Sequence, residues 1–199
     1  MNIGQMSLER LKLHVDCTQF LRALGIDHHP GFRWDLKLEG YRNFTFGCRA
    51  GPGDPNVLDL CHELAHAAQF GPRQFKRRAL QRGFHFGVRA IVIAGRMCDE
   101  PLTACATSRE LDTFAYQAHL LEASGLKVDR QELFRYAGLL LVRWMPDWYN
   151  IPGGNEQARR EWCTARAERF YQKRTQLSAV ERLNGWLDKT AAHLARSAV

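Results

Sequence analysis

The five residues His62, Glu63, Leu64, Ala65 and His66 form the pattern H-E-x-x-H. If the stretch is helical, residues four apart lie on one face, so both imidazoles can reach one metal ion with the glutamate beside it. A metal held this way can activate water: bound zinc lowers the pKa of its water to about 7 and polarises a carbonyl oxygen. Glu63 is then free to act as a general base, taking a proton from the water and returning it to a leaving group.

The motif needs a helix with a defined register, and its flanks supply one. Gly51-Pro52-Gly53 interrupts the chain, Asp54-Pro55 offers an N-cap acceptor and a favoured first helical residue, and Gly71-Pro72 closes the other end. The expected helix spans about residues 55 to 70. Val57, Leu60, Leu64, Ala67 and Ala68 form its apolar stripe, with Asp59, His62, Glu63 and His66 on the other side. Upstream, the spacing predicts a packing helix from Ser7 to Leu24 stopped by Gly25. A β-hairpin is expected from Arg33–Leu38 and Asn43–Arg49 around Glu39-Gly40. Residues 73–106 carry no decisive period. Downstream helices are expected at Ser108–Ala123, Arg130–Trp144, Glu156–Gln176 and Ala179–Arg196, with a loop from Pro146 to Gly154. The implied fold class is α+β and mostly helical, a single domain over residues 1–199. Its catalytic core covers about residues 30–125 and its helical C-terminal part about 130–199.

Catalytic zinc usually takes three protein ligands and leaves a fourth position for water. The first candidate for the third ligand is Glu110, which shares a helical stripe with Phe114, Gln117 and Leu121. An inward carboxylate needs a partner, and a metal supplies one. The competing role of Glu110 is a capping box with Thr107. Asp112, largely opposite on the helix, is the alternative ligand. Asp59, one turn before His62, is placed to accept an imidazole N–H. Candidate donors to a developing oxyanion are Tyr116, His119, His85 and Tyr149, none singled out by its spacing. Cys61 points away from the ligand stripe, and His28-His29 reads as a loop pair.

The stretch His-Glu-Leu-Ala-His followed by Glu110-Leu-Asp-Thr-Phe-Ala115 resembles the zincin metallopeptidases of the gluzincin type. The resemblance covers about residues 55–123. It implies a zincin-like fold with a small β-hairpin or sheet beside the motif helix, and one zinc ion. It also implies His62 and His66 as ligands, Glu110 as third ligand, Glu63 as base, and hydrolysis of a peptide bond in a protein or peptide substrate. The second stretch is also similar to the Glu-x-Asn-x-Phe-Ala pattern of regulatory metallopeptidases that cleave phage-type repressors. Asp112 stands where those have asparagine, Ala65 where glycine is common, and the spacing between motifs is longer.

Composition narrows the alternatives. Of the 199 residues 45% are hydrophobic and 25% charged, which excludes wholesale disorder and a polytopic membrane protein. No apolar run approaches the roughly 20 residues of a membrane span. The net charge of +7 comes largely from Arg73–Arg96 and Arg159–Arg174. This charge permits an acidic protein partner or nucleic acid, so a basic binding module with a structural or absent metal is the second functional class. The six cysteines are scattered without a C-x-x-C pair, and no secretory signal is visible. A cytoplasmic location is expected, with specialised secretion the alternative.

Overall fold

The computed structural model describes residues 17–29, 57–71, 104–144 and 150–197, and the expected hairpin, the segment 73–103, His85 and Tyr149 lie outside them. The described part is mostly helical: α1 (Cys17–Ala23), α2 (Val57–Phe70), α3 (Ala104–Ala123), α4 (Arg130–Leu139) continuing into a π-helical turn (Leu140–Trp144), α5 (Glu156–Gln172) and α6 (Gln176–Ser197). There is no strand among the described residues, and no helix among them is long and apolar enough to cross a membrane.

Helix α3 is the hub. It touches α2, α4, α5 and α6, and every residue from Glu110 to Leu121 is buried. The helix begins by Ala104, a turn before the expected start, so Thr107 lies inside it instead of capping it. The Thr107 hydroxyl donates across to the Asn150 carbonyl at 3.3 Å. The capping-box role of Glu110 is thereby removed, because that role requires Thr107 at the helix boundary.

Helix α2 packs against α3 and α6. Its expected apolar stripe is buried throughout, with Cys61 and Ala65 buried beside it, and on the opposite side His66 is buried too. The second helix over that side explains why. The end of α2 is built as the sequence suggests. Gly71 takes φ +57 and donates its N–H to the Ala67 carbonyl at 2.8 Å, a left-handed cap. Arg182 of α6 satisfies the next two carbonyls, donating from Nε to Ala68 at 2.8 Å and from Nη2 to Gln69.

The remaining boundaries follow local capping. Asp129 caps α4 by accepting the Glu132 N–H at 3.1 Å, and Asn155 caps α5 by accepting the Ala158 N–H at 2.8 Å. The expected helix through Gln176 stops at Gln172, and α6 begins at Gln176 instead of Ala179. The cause is Thr175, whose hydroxyl accepts the Ser178 N–H at 3.1 Å and so starts a new helix. Of the C-terminal aromatics expected to pack between helices, Trp162, Phe170 and Tyr171 lie partly buried against the core, and Trp186 is buried within it beside Phe20, Leu60, Phe114 and Phe134.

Two glycines separate conformational cost from crowding. At Gly125, φ +79, a Cβ would meet nothing within 4 Å, so Gly125→Ala should lose roughly 1 kcal/mol for the left-handed conformation alone. At Gly71 a Cβ would lie 3.0 Å from Cζ of Arg182, which cannot retreat without releasing the α2 carbonyls. Urea unfolding should therefore show a larger loss for Gly71→Ala than for Gly125→Ala.

Candidate metal centre

The register of α2 places His62 and His66 one turn apart, with rings edge to face at 4.8 Å. Facing them from α3 is Glu110, 3% exposed. Its Oε1 lies 2.9 Å from His62 Nε2 and its Oε2 lies 3.6 Å from His66 Nε2. The donor atoms of these three residues all lie within 4.8 Å of one another, and they are the only such group among the described residues. The structure thus brings together the two motif histidines and the first candidate for third ligand. The side chains of Glu63 and Asp59 lie outside the described part.

The stripe expected for Glu110 on α3 frames the imidazoles. Phe114 lies against the His62 ring at 4.7 Å. The Gln117 amide nitrogen donates to the Leu58 carbonyl at 2.8 Å, which turns its oxygen toward His62 Nδ1 at 3.2 Å. An amide oxygen can only accept, so His62 carries a proton on Nδ1 and directs Nε2 at Glu110. Behind His66, Thr113 Oγ1 stands 3.1 Å from Nδ1.

Burial sets the charge states. It lowers the His66 pKa from 6.5 to about 4, against the pull of Glu110, so this imidazole is neutral near pH 7 and suited to ligation. For Glu110, burial pushes the pKa upward, but His66, His62 and the hydrogen bond from His62 outweigh it and hold the carboxyl below its usual value. Its Oε2 is buried without a hydrogen-bond partner, an arrangement that costs free energy unless something else satisfies it. Two imidazoles and a carboxylate form a donor set suited to zinc, and a divalent cation would neutralise Glu110 and occupy its orphaned oxygen. The residues fit such an ion.

The other candidates are engaged elsewhere. Asp112 meets Arg174 Nη2 through Oδ1 at 2.6 Å and Oδ2 at 2.8 Å, and also accepts from Gln69 at 3.2 Å. Its burial raises its pKa although Arg174 opposes this. The Tyr116 ring lies beneath the guanidinium of Arg174 at 4.7 Å and that of Arg182 at 5.7 Å. His119 stacks on Tyr171 at 4.1 Å and donates Nε2–H to the Tyr171 carbonyl, about two and a half turns along α3 from Glu110. Neither Tyr116 nor His119 joins the cluster. Cys61 donates its thiol to the Gln117 carbonyl at 3.5 Å and stays outside the donor group; burial keeps its pKa well above the ordinary value. His28 and His29 pair with Asp27 and Asp188. Sequence reasoning passed over Gln69 and Thr113 and used Gln117 only as a stripe marker. The usable signal was their spacing, three residues after His66, three after Glu110 and seven after Glu110, which returns polar groups to the ligand faces.

No protein-family model matches this chain, and it matches no curated protein and no solved structure.

The His66 environment yields a test in protein stripped of metal by a chelator. Between pH 6.5 and about 4 the unfolded chain binds the His66 proton while the folded chain does not, so stability falls as pH is lowered through that window. Asp112, raised from 3.8, has the opposite slope and is common to both proteins compared. Urea midpoints across the window should decline less steeply in His66→Gln than in the wild type. Parallel curves would show that His66 is not held neutral by burial.

Proposed function

We propose that the protein is a zinc-dependent metallopeptidase that hydrolyses a peptide bond in a protein substrate. The supporting observation is the buried Glu110 carboxylate on α3, facing both histidines of the H-E-x-x-H helix with one oxygen unsatisfied. The resemblance of residues 55–123 to the gluzincins agrees with it. His62, His66 and Glu110 hold the ion. A zinc ion bound there supplies a Lewis acid for the scissile carbonyl and a water that ionises near neutral pH.

The chain's own residues do the rest. Glu63 follows His62 on α2. It takes the proton of the attacking water and delivers it to the amine nitrogen as the C–N bond breaks. Gln117 orients His62 through Nδ1 and so keeps Nε2 available. The zincin-like hairpin, residues 33–49, belongs to this proposal as the edge along which an extended substrate pairs by its main chain.

Metal analysis of purified protein should give one zinc per chain, lost in Glu110→Ala and retained in Asp112→Asn, whose carboxylate serves Arg174. Retention in the first variant and loss in the second would exchange the two assignments. With an unfolded protein as substrate, Glu63→Gln should keep its zinc while cleavage falls by about 10²–10⁴-fold. A chain without zinc that binds DNA with a steep salt dependence would support the basic binding module instead.

A further inference from the structure

The geometry points to Thr113, oriented by Gln69, as a positioning residue that fixes the tautomer of His66 and thereby presents its Nε2 to the metal. This rests on the metal site proposed above. The assignment follows from counting protons. Gln69 Nε2 donates to the Arg109 carbonyl at 2.6 Å and to Asp112 Oδ2 at 3.2 Å, which uses both amide hydrogens and turns Oε1 toward Thr113. Thr113 Oγ1 stands 3.2 Å from that oxygen, 3.1 Å from the Arg109 carbonyl and 3.1 Å from His66 Nδ1.

A hydroxyl has one proton, and neither an amide oxygen nor a backbone carbonyl can donate one. Spent on Gln69 Oε1 or Arg109 O, the single Thr113 proton leaves a lone pair for an Nδ1–H of His66 and satisfies two contacts, whereas spent on Nδ1 it would satisfy only one and leave both oxygens facing lone pairs. What it turns to His66 is a lone pair, so the proton between them belongs to His66 Nδ1. The imidazole nitrogen left bare is Nε2, the one facing Glu110. A threonine that only back-bonded to the carbonyl four residues earlier is common in helices. Here the same hydroxyl also meets a glutamine and a histidine of the opposite helix, in a buried contact. The chain of contacts continues outward: Asp112 anchors Gln69, and Arg174, in the connection between α5 and α6, anchors Asp112.

Outer partners of ligating histidines commonly contribute about 10–100-fold in metal affinity. The full-length chain is used in wild-type form and as Thr113→Val, Thr113→Ser and Gln69→Met. Ring nitrogen NMR of metal-free protein near pH 7.5, with His66 assigned by its loss in His66→Gln, reads the tautomer. Competition with a chelator reads zinc affinity. The wild type should show a protonated Nδ1 and a bare Nε2 at His66. Thr113→Val should mix the tautomers and weaken zinc by about 10–100-fold, Thr113→Ser should restore both, and Gln69→Met should weaken zinc less than Thr113→Val. A purely structural threonine would change the unfolding midpoint without moving the tautomer. That result, or wild-type zinc affinity in Thr113→Val, overturns the proposal. If the wild type binds no zinc, the metallopeptidase reading fails, while the His66 tautomer still decides the role of Thr113.

Discussion

A carboxylate buried between two imidazoles is the constraint around which the described structure is arranged. Glu110 cannot be hydrated, and it cannot stay charged in a core without compensation. His62 supplies part of that compensation through the contact of its Nε2 with Oε1, and it can do so only if α2 lies against α3 in one register. A shift of α2 by one residue would put Cys61 and Ala65, or Glu63 and Ala67, in the places of the two histidines. The polar groups thus specify the docking that the apolar contacts make favourable. Leu60, Leu64, Phe114 and Leu121 provide cohesion without much directional preference, and the histidine pair and its hydrogen bonds provide the direction.

The same division of labour extends outward. The ends of α2 and α3 nearest the site are fastened by arginines of the C-terminal hairpin: Arg182 holds carbonyls of α2, Arg174 holds Asp112 of α3, and Tyr116 lies beneath both guanidiniums. Charge-assisted hydrogen bonds in partly buried positions tolerate little angular error. The helices that carry the donor atoms are therefore held from behind by residues remote in sequence. Basic composition read as surface charge accounts for some of these arginines poorly, since Arg174 and Arg182 serve as internal fasteners.

Much of the site was legible because its parts obey helical spacing. His62 and His66 are four apart in a stretch whose sequence offers Pro55 and Gly71 as its bounds, and Glu110 shares its stripe with Phe114 and Gln117. What spacing could not decide was the role of Glu110, since Thr107–Glu110 also satisfies a capping box. Only the earlier start of α3 separates the two. Asp112 was equally ambiguous: its partner Arg174 lies 62 residues on, past both α4 and α5, and no local pattern predicts that pair. The break between α5 and α6 was placed a few residues late because Thr175 caps by a hydroxyl to Ser178, without the acidic third residue that marks most recognisable caps. The amphipathic reading of α2 holds for its apolar stripe, which is buried throughout, but it does not say what covers the opposite side. A helix covered by a second polar-faced helix is indistinguishable in sequence from one facing water.

That the histidines and the glutamate sit on separate helices, with residues 72–103 between them in the chain, gives an ion at this site a topological role. Joining α2 to α3 through one ion closes that stretch of chain into a loop, as a covalent crosslink would. The entropy of such a closure changes slowly, with each doubling of the loop adding only about 0.6 kcal/mol. The closure term therefore depends little on the number of residues between the two motifs, whereas the four-residue interval between His62 and His66 is fixed by the helix. Within the helix spacing is geometry, and between the helices it is topology.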